Sequence, residues 1–154
     1  MLLITEGDFH TIMYLGTQIN RMNTGEIDTL LDALFIEKTK ETPEIDFNAS
    51  TGVLKISGRA YSNDIYQLFK PLNAWLDKYL ARPKDITTIE LKIEYCNSIF
   101  NKLLIIFFEN CKSVIEKEKK LHIIWYYEKG DRESVDEANH IARLIGLPIE
   151  KIEF

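Results

Sequence analysis

From Thr87 to Tyr95 apolar and polar side chains alternate without a break, with Ile89, Leu91, Ile93 and Tyr95 set against Glu90, Lys92 and Glu94. A period of two sends each set to its own side of an extended chain. The segment is therefore predicted to be a strand with one packed face and one wet face. Val53–Ser57 repeats the pattern, Leu54 and Ile56 against Lys55 and Ser57, and Ile45 alternates with Phe47 in Pro43–Phe47. Between them Asn48-Ala49-Ser50-Thr51-Gly52 has turn composition, so the two runs are expected to form a β-hairpin. Leu34–Glu37 precedes it as a further short strand.

Elsewhere the period changes to that of a helix. Ile65, Leu68, Phe69, Leu72, Trp75, Leu76, Tyr79 and Leu80 define one buried face of a helix over Asn63–Leu80, with Ser62 as its cap and Arg82-Pro83 as its stop. Pro71 lies inside that pattern and predicts a kink or two abutting helices. A second helix is expected over Ser98–Lys117. Its six-residue apolar run, Leu103–Phe108, fits a buried strand equally well, but Cys111, Val114 and Ile115 follow at helical spacing. Leu121–Tyr127 then reads as a central strand and Asp131–Glu133 as loop. Ser134-Val135-Asp136-Glu137 has the form of a capping box opening a third helix, with Val135, Ala138, Ile141, Ala142 and Ile145 as its inner stripe, Gly146 as its stop and Pro148 beyond. Ile149–Phe154 closes as a strand.

From Leu34 the order is β-β-β-α-β-α-β-α-β, an α/β architecture. Strict alternation in the strands places the helices mainly on one face of the sheet, since a sheet covered on both faces carries continuous apolar runs. Residues 1–33 have little periodicity. They are either an added strand or helix, or a stretch upstream of a true start at Met22.

Charge and composition narrow the function. The net charge of −5 and pI of about 5.3 oppose nucleic acid or an anionic membrane as a partner. Lys117, Lys119 and Lys120 fit a solvated helix end. With no apolar run long enough to span a bilayer and no basic, apolar leader, a cytoplasmic protein is expected. Cys96 and Cys111 form no CxxC pair, and His10, His122 and His140 are scattered, so no metal site is expected. GxGxxG, Walker, G-x-S-x-G and HExxH patterns are all missing, and the 7 glycines open no helix, so no cofactor and no catalytic residue is expected and the protein reads as a non-enzyme. The carboxylate pairs Glu41/Glu44 and Asp131/Glu133 have no reason to converge. Trp125, Tyr126 and Tyr127 suit a strand core better than a base-stacking platform, and Cys96 a small buried hydrophobe better than a reactive thiol.

One stretch stands apart: Tyr95-Cys96-Asn97-Ser98-Ile99-Phe100-Asn101-Lys102. A strand ends there and a hydroxyl sits at the start of an apolar helix. On spacing alone Asn97 or Ser98 can be simply an N-cap. The same geometry would accommodate a phosphate on Ser98, because free N–H groups and the positive dipole end face it. Leu104, Phe107, Phe108, Cys111 and Ile115 suffice for the core. Ile99, Leu103 and Ile106 are left on an adjacent face, which is either a docking patch or the flank of a deeply buried helix.

Thr42-Pro43-Glu44-Ile45-Asp46-Phe47, Thr51–Tyr61, Pro71-Leu72-Asn73-Ala74-Trp75-Leu76, Ile93–Ser98 with Lys102, and Ile124-Trp125-Tyr126-Tyr127 resemble, in this order and spacing, the SiaC-type regulatory phosphoproteins. The resemblance runs from about Leu34 to Phe154. It implies a STAS-like fold, a mixed sheet with helices on one face, akin to anti-sigma factor antagonists. It also implies partner switching, in which a cognate kinase phosphorylates the hydroxyl residue after the Asn of the Tyr-x-Asn motif and a PP2C-type phosphatase removes the phosphate. The unphosphorylated form then binds and controls a target such as a diguanylate cyclase. Carried over by position, the phosphoacceptor is Ser98, and the partner surface comprises Asn97, Ile99, Phe100, Lys102, Leu103 and Ile106 with Tyr61 and Asn63 from the preceding loop. Ile99 and Phe100 stand where the family usually has further small hydroxyl residues, and position 106 is Ile where a polar residue is common. A phosphorylation-independent interaction module using the same helix face is the alternative.

Overall fold

The β-hairpin is the local feature that the chain specifies most strongly. Asn48 Oδ1 accepts hydrogen bonds from Ser50 N (3.0 Å), Thr51 N (3.1 Å) and Ser50 Oγ (2.7 Å), an Asx-type turn. Gly52 leaves the turn at φ +72°, and a Cβ there would lie 2.6 Å from the Ile86 carbonyl oxygen, so both the dihedral and the crowding call for glycine.

The computed structural model describes residues 2–4 and 33–154. Its elements are β1 (Leu2–Ile4), β2 (Ala33–Ile36), β3 (Glu44–Asn48), β4 (Val53–Ala60), α1 (Ile65–Ala81), β5 (Ile86–Cys96), α2 (Ser98–Cys111), α3 (Ser113–Glu116), β6 (Lys120–Tyr127), α4 (Arg132–Ile145) and β7 (Glu150–Glu153). They form a seven-stranded mixed sheet whose spatial order follows the chain, β1 to β7. β3 runs antiparallel to both its neighbours and all other pairings are parallel. Leu2–Ile4 pairs with Leu34–Ile36 as an added edge strand. The expectation for the rest of residues 1–33, apart from Ala33, lies outside the described residues.

The alternation translates into two unlike faces. Leu34, Ile36, Ile45, Phe47, Leu54, Ile56, Ile89, Leu91, Ile93, Ile123 and Trp125 are buried in one cluster with the inner faces of α1, α2 and α4. On the other face Asp46, Lys55 and Glu90 lie in register across β3, β4 and β5. Alternating charge there keeps the open face wetted while the helices cover its back.

Several boundaries differ from the sequence expectation. α1 begins at Ile65, because Ser62 Oγ accepts the Asp64 N–H and forms a turn ahead of the helix instead of capping it. Pro71 does not divide α1: only one backbone donor is lost, and buried Leu68 and Phe69 before it and Leu72 and Trp75 after it hold the helix to the sheet. The second helix ends at Cys111. Lys112 N turns to Glu109 O (3.2 Å), and α3 follows with Val114 buried and Ile115 exposed instead of in the core. β6 is the sixth strand of the order, not a central one. Tyr95, expected on the packed side, is 62% exposed. The register shifts between Gly58 and Arg59, so that Gly58 faces Ile93 while Arg59 faces Tyr95, and the bulge reverses the parity of the strand end.

The capping box is also corrected. α4 begins at Arg132, inside the expected loop, and Asp131 caps it by accepting the Ser134 N–H at 3.0 Å. Both members of the expected box are engaged elsewhere. Ser134 Oγ accepts the buried Trp125 Nε1–H (2.8 Å), and Glu137 Oε1 accepts from Asn101 Nδ2 (2.7 Å).

Candidate functional site

β5 delivers the chain to the edge of the layered core at Cys96, and α2 starts at once. Asn97 makes the turn: its backbone is extended, its Oδ1 accepts the Phe100 N–H at 2.9 Å, and its own N–H donates to Ala60 O at 2.9 Å. Its Nδ2 donates to Ser62 O at 3.3 Å, which brings the loop Tyr61–Asn63 beside the helix start. Asn97 is thus a cap and a clamp. Ser98 at the first helical position is exposed, with no side-chain hydrogen bond among the described residues.

Two of the three apolar residues left over on α2 are exposed. Ile99 is 43% and Ile106 52% exposed, with Leu103 half-buried between them at i+4 and i+7. Lys102, exposed one turn after Ser98, borders it. Phe100 is the exception among the expected contact residues. It is fully buried and meets the Phe69 ring edge-on at 5.8 Å between centroids, so it belongs to the core. The third helical position points inward where the first two point out. With Phe107, Phe108 and Leu104, Phe100 anchors α2, each side chain contributing about 1.5–3 kcal/mol by burial.

The loop side carries a residue that the sequence pattern had placed in the core. Tyr95, turned outward by the bulge, packs edge-to-face on half-buried Tyr61 at 5.9 Å. Asn63 is exposed beside them. Gly58 in mid-strand, at φ +111°, was the available signal, since a glycine inside a strand pattern marks a bulge. Glu137 was missed for a different reason. Its contact with Asn101 joins residues far apart in the chain.

Cys96 is not a nucleophile in this setting. Burial pushes its thiol up to about 11, and the nearby Glu137 carboxylate adds to the rise. Cys111 is buried and its thiol is raised well above the ordinary range by burial alone. A cleft of about 400 Å³ on the open sheet face is lined by Glu44, Asp46, Lys55, Glu90, Lys92 and Tyr126 among others. It sets two lysines against three carboxylates, with Lys55 Nζ 4.0 Å from Glu90 Oε2, and it shares no residue with the α2 junction. Among the described residues no three His, Cys, Asp or Glu side chains converge as a metal site, and no helix is long and apolar enough to cross a membrane.

Compared with known protein families, residues 36–154 match the family described as SiaC family regulatory phosphoprotein. The chain belongs to the SiaC family. An uncharacterised protein of Pseudomonas aeruginosa strain UCBPP-PA14 is 23% identical over 96 residues, spanning 62% of this chain and 76% of that protein. Among solved structures, apo-SiaC from Pseudomonas aeruginosa superposes with a TM-score of 0.68 at 22% identity, over 77% of this chain and 97% of that one. SiaC in complex with the diguanylate cyclase SiaD, of which it is the activator, superposes at 0.73 and 20% identity, over 79% and 99%. At these identities the likeness establishes the shared SiaC fold, a mixed sheet backed by helices on one face.

Proposed function

We propose that this SiaC-family protein is a phosphorylation-controlled partner switch. Its unphosphorylated form binds and controls a target enzyme such as a diguanylate cyclase, and Ser98 is the residue at which a kinase sets the switch and a PP2C-type phosphatase resets it. The observation that carries this is the junction itself: an exposed hydroxyl at the first position of a helix whose next outward residues, Ile99, Leu103 and Ile106, are apolar. A phosphate there adds about −1.5 to −2 charges. Free N–H groups at the helix start and Lys102 one turn on would tolerate it within the fold. A partner that buries the stripe would have to desolvate it. A cost of about 3 kcal/mol corresponds to roughly a hundredfold in affinity. Tyr61, Asn63, Asn97 and Lys102 form the rim of the docking surface, and Tyr95 joins them as an exposed aromatic of the kind that dominates interfaces. Phe100 is not part of it. The protein acts through binding, within the cytoplasm, and not as an enzyme.

The likeness to the SiaC of the SiaC–SiaD complex supports the choice of a diguanylate cyclase as target. One observation favours the alternative, an interaction module that needs no phosphorylation: exposed Ile99 directly follows Ser98, so a kinase would meet a branched apolar side chain beside the acceptor. Phosphosite mapping by mass spectrometry on protein from its own cells, with and without phosphatase treatment, tests the switch, combined with titration of the cyclase against Ser98→Ala and Ser98→Asp. A phosphatase-sensitive phosphate on Ser98 and roughly hundredfold weaker binding of the Asp variant are expected. Equal affinity of the two variants would leave the constitutive binder standing.

A further inference from the structure

The side chains around Ser98 are wired to α4. Asn101, three residues after Ser98 and so on the same side of α2, donates its Nδ2–H to Glu137 Oε1 at 2.7 Å. Cys96, two residues before Ser98, donates its Sγ–H to Asn101 Oδ1 at 3.2 Å. The contact is partly buried. Cys96 before the exposed serine and Glu137 on α4 therefore share Asn101, which is the carboxylate's hydrogen-bonded link to α2. Neither residue is needed to cap its helix: Asn97 caps α2 and Asp131 caps α4.

We infer that Glu137 is the charge sensor of the switch: a phosphate on Ser98 takes the Asn101 Nδ2–H from Glu137 and repels the carboxylate, so that the first turns of α4 loosen from α2. The inference rests on Ser98 being the phosphorylated residue. Its physical basis is the replacement of a neutral hydroxyl by a group of about −1.5 to −2 charges with strong acceptor oxygens, one helical turn from a donor now used by a carboxylate. Like charges in a partly buried site are screened less than on an open surface. Lys102 can pair with the phosphate but is on α2 itself, so it cannot restore the link to α4. Phosphorylation would then be felt twice, as a dianion on the docking stripe and as a loosened α4 on a separate element.

The test uses the full chain with phosphoserine installed at position 98 during translation, which needs no kinase. Amide hydrogen exchange at Ala138 and Asn139 is compared in modified and unmodified protein, in the natural sequence and in Glu137→Gln. Glutamine keeps an acceptor for Asn101 and removes only the charge. Exchange about tenfold faster with phosphoserine in the natural sequence is expected, from loss of a charge-assisted hydrogen bond. A smaller change, about threefold, is expected in Glu137→Gln, where only a neutral hydrogen bond is lost and the repulsion is missing. Asn101→Asp, a carboxylate facing a carboxylate, should accelerate exchange in α4 without any phosphate. Equal exchange with and without phosphoserine, or equal acceleration in the Gln variant, overturns the sensor. Binding of the target by the same phosphoserine protein is measured in parallel. Unchanged affinity there, with α4 still responding, would sink the role of Ser98 in partner control and leave Glu137 as its sensor.

Discussion

The β5–α2 and β6–α4 junctions cap their helices in the same way and put their serines to opposite uses. Each has a short polar residue that caps the helix through its third backbone N–H, Asn97 for Phe100 directly after β5 and Asp131 for Ser134 after the turn that follows β6. Each places its third helical side chain inward, Phe100 on Phe69 and Ser134 on Trp125. Each contains one serine. Ser134 sits at the inward third position and satisfies a buried indole. Ser98 sits at the outward first position and is exposed. One residue from the cap against three decides whether a hydroxyl is available to another protein or structural. A sequence motif cannot show this, because both serines lie beside a helix start.

The largest effect that would break this comparison is at the third position of α2. Phe100→Ala removes a fully buried ring and should cost about 3–5 kcal/mol of folding stability in chemical denaturation. Ile99→Ala, its exposed neighbour, should change stability by less than about 1 kcal/mol and instead weaken target binding. If Phe100→Ala folded normally and lost only binding, the helix would be seated differently and Phe100 would return to the docking surface.

The serines themselves come next. Ser134→Ala leaves the Trp125 N–H buried without its partner and should cost about 1–3 kcal/mol. Ser98→Ala, exposed and not capping, should stay within about 0.5 kcal/mol of the natural sequence. Thermal unfolding of the two variants side by side reads the difference directly. Comparable losses would mean that Ser98 has a structural partner after all.

How much of this could be read beforehand follows from which forces are local. Period-two alternation fixed β3, β4 and β5 and their inner faces, and period 3.6 fixed the three longer helices, because each pattern is local and each element buries one face. The Asn48–Gly52 turn and the Gly146 helix stop were legible for the same reason. Tertiary competition was not. Ser134 and Glu137 have the spacing of a capping box, but Trp125 and Asn101 offer better partners from other elements. Tyr95 continues the alternation of β5 until a bulge opposite Gly58 and Arg59 of β4 turns it outward. In the candidate site, exposure of Ile99 and Ile106 was one of the two readings that counting the core's needs left open, while Leu103 packs partly on the core and Ile115, counted into it, lies outside. Phe100 was misplaced because its depth depends on Phe69, a residue of another helix.

The finest distinction concerns the cysteines at either end of α2. Burial first and the Glu137 charge second hold the Cys96 thiol up at about 11. Alkylation requires the thiolate, so at pH 8 Cys96 should react roughly a hundredfold more slowly than an ordinary thiol, gaining speed up to about pH 11. Cys111, buried at the other end, should react only on unfolding. The sign for stability is the same. A thiol whose folded value is raised stabilises the fold below its ordinary value of 9.0, and that contribution is lost as pH climbs towards about 11. Glu137→Gln removes one of the two causes and should speed Cys96 alkylation severalfold while leaving Cys111 untouched. The paired rates thus measure how strongly a charge on α4 is felt at the β5–α2 junction. If Cys96 reacted in both variants at the rate of a free thiol, the two junctions would be electrostatically independent. Ser98 would then have to act on a partner through its own exposed position alone.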